Sequence, residues 1–279
     1  MLKNKVFYAV GVLIIVAVVV SIAAHHQMKP AIGGLEQQAL AASAKPATPK
    51  ETSTEKAIRV AGERKRYAFI TFYKKGDAAS DKMLATAKSI RGKLASRADF
   101  VTVAVGDTAN QPLVKRFSVD RSPIPVALVV APNGAITAAY QKEITAAAVS
   151  EAFVSDGQAA VLKALQDGKL ALVCLRNGKT KYNKESMTAA EGMKADKTLT
   201  GVVGIIEIDP SNKAESKFLQ LCKVNTASAN SQVLMIIPPG KILGTFDGNT
   251  TKAKLMASLQ AAMASCGTGC GPSGCGPAK

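Results

Sequence analysis

Along residues 66–264 the spacing of hydrophobic and polar positions switches repeatedly between a period of two and a period near 3.6. Each switch marks an expected element. Residues 67–73 read as a strand. Met83, Leu84, Ala87, Ile90 and Leu94 then fall at helical spacing and predict a helix over 80–96. A second strand is expected at 100–105 and a short helix at 110–117. The sharpest local signal is Ser122 to Tyr140, SPIPVALVVAPNGAITAAY. Its valine-rich run at 126–130 is too short for a helix, is closed by Pro132-Asn133-Gly134, and is followed by a second run at 135–140, the pattern of a hairpin. A helix over 145–154 completes the order βαβαββα.

The same order recurs about a hundred residues later. A linking helix at 157–166 leads to a strand at 170–175, a helix at 184–193, a strand at 202–208 and a helix at 213–222. A hairpin over 232–246 and a final helix at 250–263 follow. Two internal matches support a duplication. Asp107-Thr-Ala-Asn110 parallels Asp209-Pro-Ser-Asn212, and Pro132 to Gly134 parallels Pro238 to Gly240, at offsets of 102 and 106. A constant offset over matched elements is the mark of an internal repeat.

Before the first strand the pattern changes character. Residues 1–5 carry Lys3 and Lys5, and residues 6–24 then run 19 positions without a charge. As a helix that run would reach about 28 Å, close to the hydrocarbon thickness of a bilayer. An uncleaved signal-anchor is the expected reading, with a cleaved signal ending near Ser21-Ile22-Ala23 as the alternative. The two lysines place the N-terminus in the cytoplasm and the rest outside it. The expected location is thus the inner membrane, single-pass, with the bulk of the chain periplasmic or extracytoplasmic. His25-His26-Gln27-Met28 follows directly and reads as interfacial polar groups or, less simply, as copper ligands. Residues 25–65, rich in alanine, lysine, threonine and proline, are expected to be a flexible spacer with a short helix at 35–42. The expected divisions are therefore 1–5, 6–24, 25–65, 66–155, 156–264 and a tail at 265–279.

The chain has 279 residues, 47% of them hydrophobic, no tryptophan and a formal charge of +16. Aliphatic side chains must therefore fill the cores. The positive balance suits anionic lipid, cell-wall polymers or acidic partners, or is simply a lysine-rich surface. No basic helix with interleaved aromatics suggests nucleic acid. Both histidines sit at the membrane boundary, so neither folded unit holds an imidazole base for hydrolytic chemistry.

With its Pro-led hairpin and Pro-Asn-Gly turn, the element order resembles the thioredoxin-like fold, and over 67–154 the resemblance covers the whole unit. Asn110-Gln-Pro-Leu-Val-Lys-Arg-Phe-Ser-Val119 and Pro125 before the 126–130 strand carry it most closely. The resemblance implies an α/β chain with two tandem thioredoxin-like domains. It implies a cis-proline at Pro125 beside the active site, and two cysteines in a C-x-x-C loop opening the first core helix, where the helix N-terminus lowers the thiol pKa. Aligning Lys82-Met83 on the residues after the family's second cysteine puts Ala78 and Asp81 at those positions. Neither can form a disulfide, so the chain is not expected to perform dithiol catalysis there. The second unit has Asn177-Gly178-Lys179-Thr180 as its loop and Ser231 in place of the proline. Gly178-Lys-Thr180 lacks the leading glycine of a phosphate-binding loop, since Val173 stands there.

Five cysteines remain. Cys174 and Cys222 read as buried small hydrophobes, as a disulfide, or as a redox pair. Cys266, Cys270 and Cys275 alternate with glycine and proline in the tail, where no core can hold them. Three thiolates on so pliant a backbone suit a soft cation such as Cu(I), with disulfide formation or no specific role as alternatives. Two functions follow as expectations. One is a membrane-anchored, exported binding or scaffold protein lacking the redox centre and meeting a protein partner in the periplasm. The other is a soft-metal or thiol-exchange protein acting through the tail cysteines.

Overall fold

A computed structural model describes residues 51–141 and 144–267. The chain forms two compact units, the main boundary falling at Ala152–Phe153, with Ala135–Thr137 grouped with the second. The first unit consists of α1 (Ser53–Glu63), β1 (Tyr67–Tyr73), α2 (Ala78–Leu94), β2 (Ala98–Ala104), α3 (Gln111–Arg116), β3 (Val126–Val130), β4 (Ile136–Tyr140) and α4 (Ala146–Glu151). The sheet order is β2-β1-β3-β4. β1 runs parallel to β2, with Tyr67 opposite Ala98, and antiparallel to β3, with Phe72 opposite Val126. The two central strands are buried nearly throughout, which is why YAFITFY and VALVV read as unbroken apolar runs rather than alternating ones. Phe69 lies 5.0 Å from Phe100 between ring centres, and Phe72 meets Phe117 edge-on at 5.9 Å.

The second unit repeats this plan element by element: α5 (Asp156–Gln166), β5 (Leu170–Leu175), α6 (Asn183–Lys194), β6 (Val203–Ile208), α7 (Ser216–Leu221), β7 (Gln232–Ile237), β8 (Lys241–Asp247) and α8 (Lys252–Gly267). Its sheet order, β6-β5-β7-β8, matches the first. Period-two alternation along β5 sends Ala171, Val173 and Leu175 to one core with Val161 of α5 and Leu219 of α7. Leu170, Leu172 and Cys174 go to the other with Met193 of α6 and Leu255 of α8. The unit is therefore three-layered, with helices on both faces of a mixed sheet. This strand order, with the third strand antiparallel, is thioredoxin-like in both units.

The repeat extends to backbone detail. α1 and α5 each end on a residue with positive φ, Lys65 (55°) and Gly168 (74°), 103 positions apart. The next residue's amide turns back onto the helix in both cases, Arg66 to Ala61 and Lys169 to Ala164. α3 and α7 are followed in the same way by Ser118 (51°) and Lys223 (55°), 105 apart.

Three sequence expectations need correction. The spacer does not extend to residue 65, because 53–63 is a helix of the first unit. Thr52 and Glu55 form a reciprocal capping box, and Ile58 and Ala61 are buried. The helix expected to link the units is its counterpart, α5. The Asp-x-x-Asn match is out of register by three, since Asp107 caps the turn at Thr108–Asn110 while Asn212, not Asp209, caps the equivalent turn at Lys213–Glu215.

The described residues contain no helix long and apolar enough to cross a membrane. The expected anchor (6–24), the His25-His26 site and the helix at 35–42 lie outside them, as do Cys270 and Cys275.

Candidate functional site

β1 leaves the sheet at Tyr73 and β3 enters it at Val126, so the loop before α2 and Pro125 share one end of the sheet. The Ile124–Pro125 bond is cis, and so is Pro238–Pro239 in the second hairpin turn. At the start of α2 the two sequence-predicted positions, Ala78 and Asp81, are both exposed in the first turn. Asp77 and Ser80, one register earlier, make the local structure. Asp77 is the N-cap, and its carboxylate accepts from the Ser80 amide at 2.8 Å. Ser80 is fully buried, and its hydroxyl accepts from the Lys74 amide at 3.1 Å. Hydrogen bonds from the Ser80 hydroxyl and then from its amide, helped by Lys74, hold Asp77 below the usual carboxylate range.

Asp77 and Ser80 are thus the capping and inward positions of the four-residue turn that opens the helix. An Asp-x-x-Ser run before helical periodicity was the available signal, since it reads as an N-cap three residues ahead of a buried position. The first unit contains no cysteine. No dithiol step can occur at this turn.

In the second unit the same sheet end is closed by the chain itself. Lys181 bridges Asn230 in parallel fashion, with the Lys181 amide donating to Ala229 O at 2.9 Å and the Ser231 amide donating to Lys181 O at 2.8 Å. The Ser231 hydroxyl donates to Tyr182 O at 2.9 Å, fixing Tyr182 at φ 60° ahead of α6. Proline at 231 would supply neither donor. Serine at this position is therefore what lets the loop lock. Beneath it, Asn177 donates to Asp209 at 2.9 Å, and Thr180 donates to Asn183 at 2.7 Å. Every member of this cluster is spent on shaping the loop.

Of the three readings left open for Cys174 and Cys222, a disulfide between them does not occur. Both are free thiols. They pack into the cores on opposite faces of the second sheet, so no backbone adjustment within this fold brings them together. Burial pushes the Cys174 thiol up to about 12, with Glu207 adding to the effect, and burial pushes Cys222 up to about 11. Thiols so protonated are poor nucleophiles. Cys266 lies within the backbone span of α8. No group of three or more metal-ligating side chains occurs among the described residues.

A cleft of about 700 Å³ runs along α1 in the first unit, lined among others by Glu55, Arg59, Gly62, Arg66, Arg116 and Pro132. Two of its cations are committed to internal partners. Arg59 pairs with Glu51 at 2.8 Å and Glu63 at 2.5 Å. Arg66 pairs with Asp99 at 2.8 Å and donates to the carbonyls of Ala95, Ser96 and Ala98.

The chain matches no family model. It matches no curated protein. Solved structures similar to about a third of it include thioredoxins. A malaria-parasite thioredoxin-2, a component of that parasite's protein secretion machinery, is 15% identical, covering 30% of this chain and 77% of its own, with a TM-score of 0.27. The germline-specific thioredoxin Deadhead of Drosophila is 20% identical over 33% of this chain and 83% of its own, with a TM-score of 0.28. Chloroplastic thioredoxin z is 12% identical over 40% of this chain and 91% of its own, with a TM-score of 0.29. At such identities and scores these likenesses carry no functional argument. What the structure defines is a fold, two thioredoxin-like units in tandem, and it rests on the strand order of the two sheets.

Proposed function

We propose that this chain is a membrane-anchored, exported binding or scaffold protein built from two thioredoxin-like units that lack the dithiol centre. The observation that carries the reading is the occupancy of the helix-opening turns. Asp77 and Ser80 stand there in the first unit, and Tyr182 and Asn183 open α6 in the second. A fold kept in duplicate without its reaction is kept for its surfaces, and the positive balance of those surfaces favours an acidic partner outside the cytoplasm. The anchor at 6–24 holds those surfaces at the bilayer.

A second reading assigns soft-metal binding or thiol exchange to Cys266, Cys270 and Cys275. It is favoured by the inertness of the other two thiols, which leaves the tail as the place where sulfur chemistry can occur. Insulin reduction by the full chain, run beside a Cu(I) titration, separates the two readings. The scaffold reading expects no turnover. Turnover abolished by Cys270→Ser would overturn it, whereas absence of both turnover and bound copper would remove the second.

A further inference from the structure

The outer surface of α2 differs from that of its counterpart in the second unit. Ser80, Met83, Ala87, Ile90 and Leu94 set the inward face of α2. At about 100° per residue the opposite ridge is made of Ala78, Asp81, Ala85, Ser89 and Gly92. Lys82 and Lys93 flank this ridge on one side and Lys88 on the other, with Arg91 further round towards the buried face. All four cations are exposed. None forms an ion pair among the described residues. α2 therefore sets four cations against the single acid Asp81, while α6 balances Lys184 and Lys194 against Glu185 and Glu191. The helix dipole favours Arg91 and Lys93 in the last turn, but it opposes Lys82 near the positive end. Helix stability alone does not account for the pattern. A low ridge of mostly small residues between long basic side chains lets the heads of Lys82, Lys88 and Lys93 reach one plane together, which suits a flat array of phosphates better than a convex protein surface.

We propose that this face of α2 seats the first unit on the anionic lipid headgroups of the bilayer that holds the chain. The proposal rests on residues 6–24 being the membrane anchor. The 28 residues between that run and α1 reach at most roughly 100 Å when extended, so the tether permits the contact. Because the unit is already tethered, docking is intramolecular, and modest electrostatic attraction suffices.

The test is acetylation of lysines in the full chain, read by mass spectrometry in nanodiscs of phosphatidylcholine alone or of phosphatidylcholine with phosphatidylglycerol. Lys82, Lys88 and Lys93 should acetylate about five-fold or more slowly on the anionic discs at low salt. High salt should restore their rates. Lys184 and Lys194 in the same molecules should be unaffected. Equal rates on both discs would overturn the proposal. So would protection that arises only on adding polyglutamate, which would assign the face to an acidic protein. Co-elution with phosphatidylcholine discs reads the anchor separately. If the chain fails to co-elute, the same labelling in the presence of phosphatidylglycerol vesicles still tests the α2 face.

Discussion

Single atoms decide several positions in this molecule. A Cβ added at Gly62 would lie 2.8 Å from the Pro132 carbonyl oxygen, in the hairpin turn against which α1 packs. Alanine gains about 1 kcal/mol over glycine in a helix interior, but overpacking against an immovable backbone costs about 1–3 kcal/mol. Gly62→Ala is therefore expected to destabilise the first unit by up to about 2 kcal/mol in urea unfolding, and a stabilised variant would show that α1 docks elsewhere. The thiols follow the same logic. With its pKa pushed to about 12 and no exposed surface, Cys174 is thiolate in only about one molecule in ten thousand at pH 8. Maleimide is expected to leave Cys174 unmodified in the native chain and to label it in denaturant, as mapped by peptide mass. The parity that separates Cys174 from Cys222 was half visible in the sequence: Leu170, Leu172 and Cys174 share one face of a strand. What the sequence could not say is which face receives α7, and that decides whether the sulfurs meet.

At the scale of elements, the ends of helices are tied by polar contacts whose strength depends on pH. Asp196, just after α6, pairs with Lys252 at the start of α8 at 2.7 Å. The Lys252 ammonium first, and then the Thr198 hydroxyl and amide, hold this carboxylate well below its ordinary range. Its folded-state pKa is depressed, so the stability it contributes is fully present above the unfolded value of about 3.9. That contribution is lost as pH falls below that value towards the folded one. Asp196→Asn is expected to be less stable than the parent at neutral pH and to converge with it below about pH 4 in urea melts; a constant gap across that window would remove the ion pair as the cause. Strands and most helices were legible because the central strands are buried on both faces and the helices keep a clean apolar stripe. α1 was not. Its first turn, Ser-Thr-Glu-Lys, follows a proline-rich run of the same composition. Only the Thr52–Glu55 capping box, a short-range signal, separates the two.

For the molecule as a whole, the two units share their geometry down to single backbone turns. The repeat was legible from matched elements, but its register was not, because Asp-x-x-Asn recurs at 107 and 209 by coincidence of capping residues. A register ambiguity of one residue affected the helix-opening turn: Lys82-Met83 as an anchor selects Ala78 and Asp81, whereas burial selects Asp77 and Ser80. This yields a decisive experiment on the architecture. In Asp77→Cys/Ser80→Cys the outer thiol takes the N-cap position, where the helix amides and dipole favour the thiolate, and the inner thiol takes a site with no solvent exposure. Loss of the carboxylate cap costs about 1 kcal/mol, which a unit with a two-sided core tolerates. This variant is expected to close an intramolecular disulfide on oxidation and, when reduced, to reduce insulin. Ala78→Cys/Asp81→Cys, with both thiols exposed, is expected to do so far more slowly. If the second variant is the better reductant, the register read from burial is wrong. If neither forms a disulfide, the turn has diverged from the fold it resembles in shape as well as in residues.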